Sequence, residues 1–300
     1  MAHRNTVNRP RVAFLGYGEA ARAFVQGWSA TGMPDVSAYD IKTESAGSVR
    51  DGKRADYRAD GIRGCDCLCE AISTGDVVLS MVTADQSHAA AEAAARSGIE
   101  NRLFLDCNSS APQTKQASSD VIQAAGGKFV DVAVLTPVHP ALHRTPVLVS
   151  GPNAEEAERT MCRLGMNVSV VEGPVGSASA IKLVRSIAVK GMEALSAEML
   201  VTGRKLGVTD QVLASLDATY PGFRWVERGA YALDRMMVHG RRRAAEMEEA
   251  AKMVAGLNLP ATMSEAAARW QALVGAMELD PGEPDANRRA DLVIAALDRD

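Results

Sequence analysis

Residues 11–24 read RVAFLGYGEAARAF, a short apolar run that breaks into glycines and then into an alanine-rich pattern of helical period. Gly16-Tyr17-Gly18-Glu19-Ala20-Ala21 therefore stands where a strand ends and a helix opens, the context that lifts a glycine pattern above a chance match. The first glycine permits a tight turn, and the second lets backbone approach a pyrophosphate. The third place needs only a small residue, and Ala21 is one. The helix start then offers free N–H groups to phosphates.

Working outward, the run VSAYD puts Asp40 at the end of the second strand, 22 residues past Gly18. A carboxylate there accepts hydrogen bonds from both adenosine ribose hydroxyls and repels a 2′-phosphate. The reading is a dinucleotide site formed by Gly16, Tyr17, Gly18, Glu19, Ala20 and Asp40, with NAD favoured over NADP. Lys42, two residues on, tempers that preference, since a cation there can serve a phosphate in a different loop conformation. The same reading assigns to the cofactor Met81 and Val82, which close the run DVVLSMV, with the following Thr83, and Asn108 after RLFLDC.

From residue 11 to about 172, β-rich runs alternate with helical stretches: RVAFL, VSAYD, DVVLSMV, RLFLDC, KFVDVAVL, VLVSG and NVSVVE. Strands separated by helices imply a parallel sheet covered on both faces. After Gly173-Pro174 only helical patterns remain: a long one from about Ser177 to Lys205, then QVLASLDAT, GFRWVERGAYALDRMM, RRRAAEMEEAAKMVAG, TMSEAAARWQALVGAM and ANRRADLVIAALDR. The expected fold is an α/β Rossmann-type doubly wound sheet over residues 1–173, followed by an all-α domain over 174–300.

The bulk numbers agree with two globular domains. The chain has 300 residues, 47% of them hydrophobic, enough for a sizeable core. A formal net charge of -4 and a pI near 5.8 argue against nucleic acid as a partner. No apolar run reaches the roughly 18 residues of a membrane span, and the opening MAHRNTVNRP lacks the apolar core of a secretory leader. A cytoplasmic location follows as an expectation. Five cysteines, three of them in CDCLC (Cys65, Cys67, Cys69), read as reduced thiols, and their spacing does not suit a zinc site. No metal is expected.

Hydride exchange at a carbonyl also needs a proton donor or acceptor near the oxygen. The long helix that leaves the last strand is the place to look. There Lys182, Arg185 and Ser186 fall at i, i+3 and i+4 on one face, while Ile181, Val184, Ile187 and Ala188 are left for packing.

The glycine loop, DCNSSAP, the D-V-A-V-L strand, ALHRTPVLVSGP and a lysine on the helix after the sheet occur in the order found in the β-hydroxyacid dehydrogenases. The chain resembles that family, which includes 3-hydroxyisobutyrate and 6-phosphogluconate dehydrogenases. Its C-terminal half, with YPGFRW and HGRRRAAEMEEAAK, looks like a branch of phosphogluconate-dehydrogenase-like proteins with an uncharacterised C-terminal domain. The resemblance implies an NAD-dependent dehydrogenase acting on a hydroxy acid or related alcohol, with Lys182 as general acid and base. It implies a substrate-contacting role for Ser109 and Ser110, although a loop-capping hydroxyl explains at least one of them equally well. A homodimer paired through the helical domain is also implied.

This chain departs from the family pattern in its substrate segment, where Leu135, Thr136 and Pro137 replace a serine and two glycines. Arg185 and Ser186 stand where an asparagine pair is expected, and a guanidinium there can clamp a carboxylate. Val189 occupies the place of a decarboxylation-assisting glutamate, so that chemistry is not expected. Arg242 is the nearest match to a lysine that faces the cleft in relatives. One of Arg241, Arg242 and Arg243 is expected to point inward, and a solvated arginine face is the competing reading. An anionic small-molecule substrate is expected. Two alternatives stand beside the dehydrogenase: an imine reductase, and a non-catalytic NAD-binding sensor that has lost the substrate motif.

Overall fold

The computed structural model describes residues 9–299. Residues 1–8 of the opening segment considered above lie outside the described residues. The chain divides into two compact units, one ending at Lys182 and the other beginning at Leu183. The boundary expected at residue 173 precedes the helix within which this division falls.

The first unit holds one eight-stranded sheet in the order β3-β2-β1-β4-β5-β6-β7-β8. Its strands are β1 (Val12–Leu15), β2 (Val36–Tyr39), β3 (Arg63–Gly64), β4 (Val77–Ser80), β5 (Leu103–Asp106), β6 (Lys128–Val134), β7 (Val147–Ser150) and β8 (Val168–Val170). The helices between them are α1 (Glu19–Thr31), α2 (Ser48–Ala59), α3 (Leu68–Thr74), α4 (Ser87–Ala95), α5 (Pro112–Ala124) and α6 (Ala154–Arg163). β1 shows why the runs lack polar alternation. Val12 and Phe14 enter one core cluster while Ala13 and Leu15 enter another, because helices cover both faces of a parallel sheet.

The expected fold class is found, with differences in detail. β6 and β7 pair antiparallel, Asp131 opposite Ser150, since the connection through Leu135 to Pro146 contains only a short 3-10 turn and no crossover helix. β3, absent from the β-rich runs of the sequence, is two residues long and exposed, too short to leave a periodic signal. The five-thiol expectation is corrected as well. The sulfurs of Cys67 and Cys69 are joined, with their Cα atoms 5.5 Å apart, within disulfide range. Cys65 and Cys107 remain free and buried. Burial pushes their thiols up to about 11 and about 12, respectively.

The second unit is helical. It comprises most of α7 (Ser177–Leu206), then α8 (Thr209–Thr219), α9 (Trp225–Gly256), α10 (Thr262–Ala276) and α11 (Ala286–Leu297). The two helices expected on either side of His239-Gly240 are one helix, α9. Gly240 does not end it. A Cβ at Gly240 would lie 2.4 Å from the Gln271 carbonyl oxygen and 2.7 Å from the Gly275 Cα. The glycine is what lets α9 and α10 cross backbone to backbone. Leu200, Leu233, Met236 and Val274 pack the core of this unit. Trp225 packs against it, its ring tilted against that of Phe223 with centroids 4.3 Å apart. Ile181 and Val184, expected to pack, are exposed, and Leu183 takes the buried position between them. Among the described residues, no helix is long and apolar enough to cross a membrane.

Candidate active site

The glycine loop joins β1 to α1. Gly16 has φ +86, and a Cβ there would meet the Met81 carbonyl oxygen at 2.6 Å and Val82 at 2.8 Å, so only glycine fits between the ends of β1 and β4. Gly18 faces the opposite situation, with nothing within 4 Å of its would-be Cβ. It is the N-cap of α1, and no side chain caps that helix. An open backbone beside uncapped first-turn N–H groups suits a pyrophosphate. Glu19 is exposed and Ala20 half-buried at this opening, while Ala21 is fully buried behind it.

Asp40 stands at the end of β2. Its Oδ2 accepts from the Tyr17 N–H and its Oδ1 from the Lys42 N–H, both at 2.9 Å. The carboxylate thus ties the glycine loop to the turn after β2 and stays half-buried. Each oxygen keeps a lone pair, which suits vicinal hydroxyls. Tyr17 contributes backbone only. Its side chain is buried, its hydroxyl donates to Asp60 at 3.0 Å, and burial together with Asp60 raises its pKa well above the ordinary phenol value.

The loop after β5 is organised by Asn108, which is buried. Its Oδ1 accepts from the Val82 N–H at 2.7 Å, and its Nδ2 donates to Ser80 Oγ at 3.0 Å and Asp106 Oδ1 at 2.7 Å. Asn108 therefore fixes the ends of β4 and β5, while Met81 and Val82 are half-buried and Thr83 is exposed at the same strand end. The two serines separate. Ser110 is fully buried and donates to the Ala84 carbonyl at 3.4 Å. Ser109 is half-buried and accepts from Lys182 Nζ at 2.6 Å. Lys182 itself is half-buried. One ammonium, one hydroxyl and the glycine loop thus belong to the same compact unit.

The remaining candidates are placed as follows. Leu135 is half-buried with its N–H on the Pro146 carbonyl, and Thr136 is exposed. Arg185 is exposed, whereas Ser186 is buried and accepts from Lys190 Nζ at 3.1 Å. Of the three arginines, Arg243 is the inward one, hydrogen-bonded to Glu193. Arg242 lies on the helix surface and pairs with Glu246 at 2.9 Å.

The sequence reading missed a buried charge cluster formed by Lys115, Asp106 and Asp131, none of which has any solvent exposure. The signal was present: LFLDC and FVDVAV each put a carboxylate in an apolar strand, and a fully buried carboxylate requires a partner.

Residues 11–172 match the family described as the NAD binding domain of 6-phosphogluconate dehydrogenase. The chain belongs to this family. Residues 204–274 also match a domain of unknown function, DUF1932. A conserved hypothetical protein from Sinorhizobium meliloti 1021, of solved structure, is 33% identical, covers 97% of each chain and superposes with a TM-score of 0.73. Conserved protein MTH1747, described as structurally similar to 3-hydroxyacid dehydrogenases, is 28% identical over 93% of this chain and 99% of its own, with a TM-score of 0.68. A 3-hydroxyisobutyrate dehydrogenase from Mycobacterium tuberculosis, at 17% identity over 96% of this chain and 99% of its own and a TM-score of 0.71, shares the fold. As a member of the family, the protein carries an NAD-binding domain, and the open backbone at Gly18 and the uncapped start of α1 fit a dinucleotide.

Proposed function

We propose that the protein is an NAD-dependent oxidoreductase acting on a hydroxy acid or related alcohol, with Lys182 as the group that gives and takes the proton. The observation that carries this reading is the 2.6 Å approach of Lys182 Nζ to Ser109 Oγ, in the unit that bears the glycine loop. When bound, the nicotinamide ring supplies the hydride acceptor or donor. Lys182 then supplies a proton to the carbonyl oxygen in reduction and removes it in oxidation. Ser109 accepts a hydrogen bond from the ammonium at 2.6 Å, which orients Nζ from the loop after β5. Asp40, anchored by two backbone N–H groups, supports NAD over NADP. The expected substrate is anionic, Arg185 and Arg242 being exposed guanidiniums, and the protein works as a homodimer paired through its helical unit in a cytoplasmic setting.

The test is Lys182→Ala, assayed by NADH absorbance on a panel of hydroxy acids and alcohols, with NADH binding followed by fluorescence. Turnover should fall by roughly 10²–10⁴-fold while NADH binding stays as in the wild type. Turnover at the wild-type rate in this variant ends the assignment. Silence of the wild type on the whole panel, with firm NADH binding, turns the reading toward a nucleotide sensor.

A further inference from the structure

Lys115 projects from α5, which begins at Pro112 directly after the loop that carries Ser109. Its Nζ lies 2.6 Å from the Asp106 carbonyl oxygen, 3.1 Å from Asp106 Oδ1 and 3.4 Å from Asp131 Oδ1. One ammonium serves two carboxylates, so each acid also needs hydrogen-bond donors.

Those donors define what the cluster connects. Asp106 accepts from the Asn108 N–H at 3.0 Å, from Asn108 Nδ2 at 2.7 Å and from Ser87 Oγ at 3.0 Å. It therefore governs the loop 107–110. Asp131 sits on β6 and accepts from the Gly176 N–H at 3.1 Å, the Ser179 N–H at 3.0 Å and Ser179 Oγ at 2.5 Å. These donors belong to the start of α7, so the carboxylate caps that helix from a distant strand. Ser150 Oγ reinforces the cap by donating to Asp131 Oδ2 and accepting from the Ala178 N–H, each at 3.0 Å. Lys182 lies one turn beyond Ser179 on the same helix.

We propose that Lys115 is a positioning residue: shared between Asp106 and Asp131, it holds the Ser109 loop and the first turn of α7 in register and thereby sets the Lys182 Nζ to Ser109 Oγ approach. Burial by itself lowers a lysine's pKa, but the two carboxylates outweigh it and keep this one raised, so the link stays ionic. A buried ion set adds little net stability over an apolar one of equal volume. Its contribution here is geometry. The catalytic meaning of the proposal rests on the reading of Lys182 given above.

The experiment compares the wild type with Lys115→Met, Asp131→Asn, their double variant, Ser179→Ala and Ser179→Thr. Four quantities are measured: thermal midpoint, NADH binding by fluorescence, amide hydrogen exchange over residues 174–182, and the rate at which the Lys182 amine is acetylated, read by peptide mass spectrometry. NADH-coupled turnover on the hydroxy acid panel is the fifth. The single charge variants should lose thermal stability, and the double variant, in which Asp106 keeps the donors Asn108 and Ser87, should stay folded and bind NADH within about threefold of wild type. It should nevertheless show amide exchange in the first turn of α7 at least tenfold faster, an altered Lys182 acetylation rate, and kcat at least tenfold lower with KM little changed.

Ser179→Ala should show the same pattern more weakly and Ser179→Thr, which keeps the hydroxyl, should restore it. This pair decides the matter even if the charge variants do not fold. Wild-type exchange, acetylation and kcat in a folded double variant, or in Ser179→Ala, overturn the proposal. If no panel compound is turned over by the wild type, the oxidoreductase reading fails alone, because exchange and acetylation still decide whether the cluster positions Lys182.

Discussion

Asp40 illustrates how one side chain serves two ends. Its contacts with two backbone N–H groups at 2.9 Å tie the glycine loop to the turn after β2, and in the function proposed above its charge selects NAD. Asp40→Ser is expected to weaken NADH binding by about tenfold, equivalent to about 1.4 kcal/mol, and to improve NADPH binding relative to NADH, as seen by fluorescence titration with each nucleotide. Unchanged preference would remove Asp40 from the selection. His143 gives a second prediction. It is buried against Gly27 and Trp28, and its Nδ1 lacks a hydrogen-bond partner among the described residues. Burial foremost, then Arg144 and Arg9, holds its pKa below the usual 6.5. Because the unfolded chain then binds the proton more readily, the stability it contributes is complete above about pH 6.5 and is lost as pH falls below that value. The thermal midpoint should therefore drop between pH 7 and 5 more steeply in the wild type than in His143→Phe, and parallel profiles would clear His143 of this role. At this scale the sequence was legible where a residue acts through its own backbone, as Gly16 and Gly18 do. It was illegible for Ser109 against Ser110, because two adjacent hydroxyls are told apart only by which of them the Ala84 carbonyl claims.

Among the elements, α9 carries the plainest lesson. Gly240 reads as a helix breaker in sequence, since glycine costs about 1 kcal/mol in a helix interior. In the structure it is a crossing point, with the Gln271 and Gly275 backbone in the space of the missing side chain. Gly240→Ala should thus destabilise the protein by about 1–3 kcal/mol through overpacking, although alanine is the better helix former. Thermal or urea denaturation distinguishes the two, because a stabilised variant would mean that the helices do not meet there. The strands of the first unit were readable for the opposite reason. Burial on both faces leaves runs such as VVLS and LFLD with little polar interruption, and the helices between them leave turns and caps. The antiparallel β6–β7 pair was not readable, since residue content does not record strand direction.

For the whole molecule, the helical unit exposes Leu206, Leu257, Leu259 and Met263 at 56% or more of their surface. The homodimer proposed above predicts a mass near twice 31.8 kDa by light scattering. A single-chain mass at micromolar concentration would refute it. The sequence by itself determined the Rossmann-type sheet, the all-helical second part, the glycine loop with its carboxylate, and the lysine after the last strand. Each of these is written in consecutive residues, as period, turn chemistry or spacing. Only the tertiary structure decided that Lys115 joins Asp106 to Asp131, that Asp131 caps α7, that Arg243 rather than Arg242 turns inward, and that α9 is unbroken. Those facts depend on groups far apart along the chain, whose burial and partners exist only once the sheet and helices have closed around them.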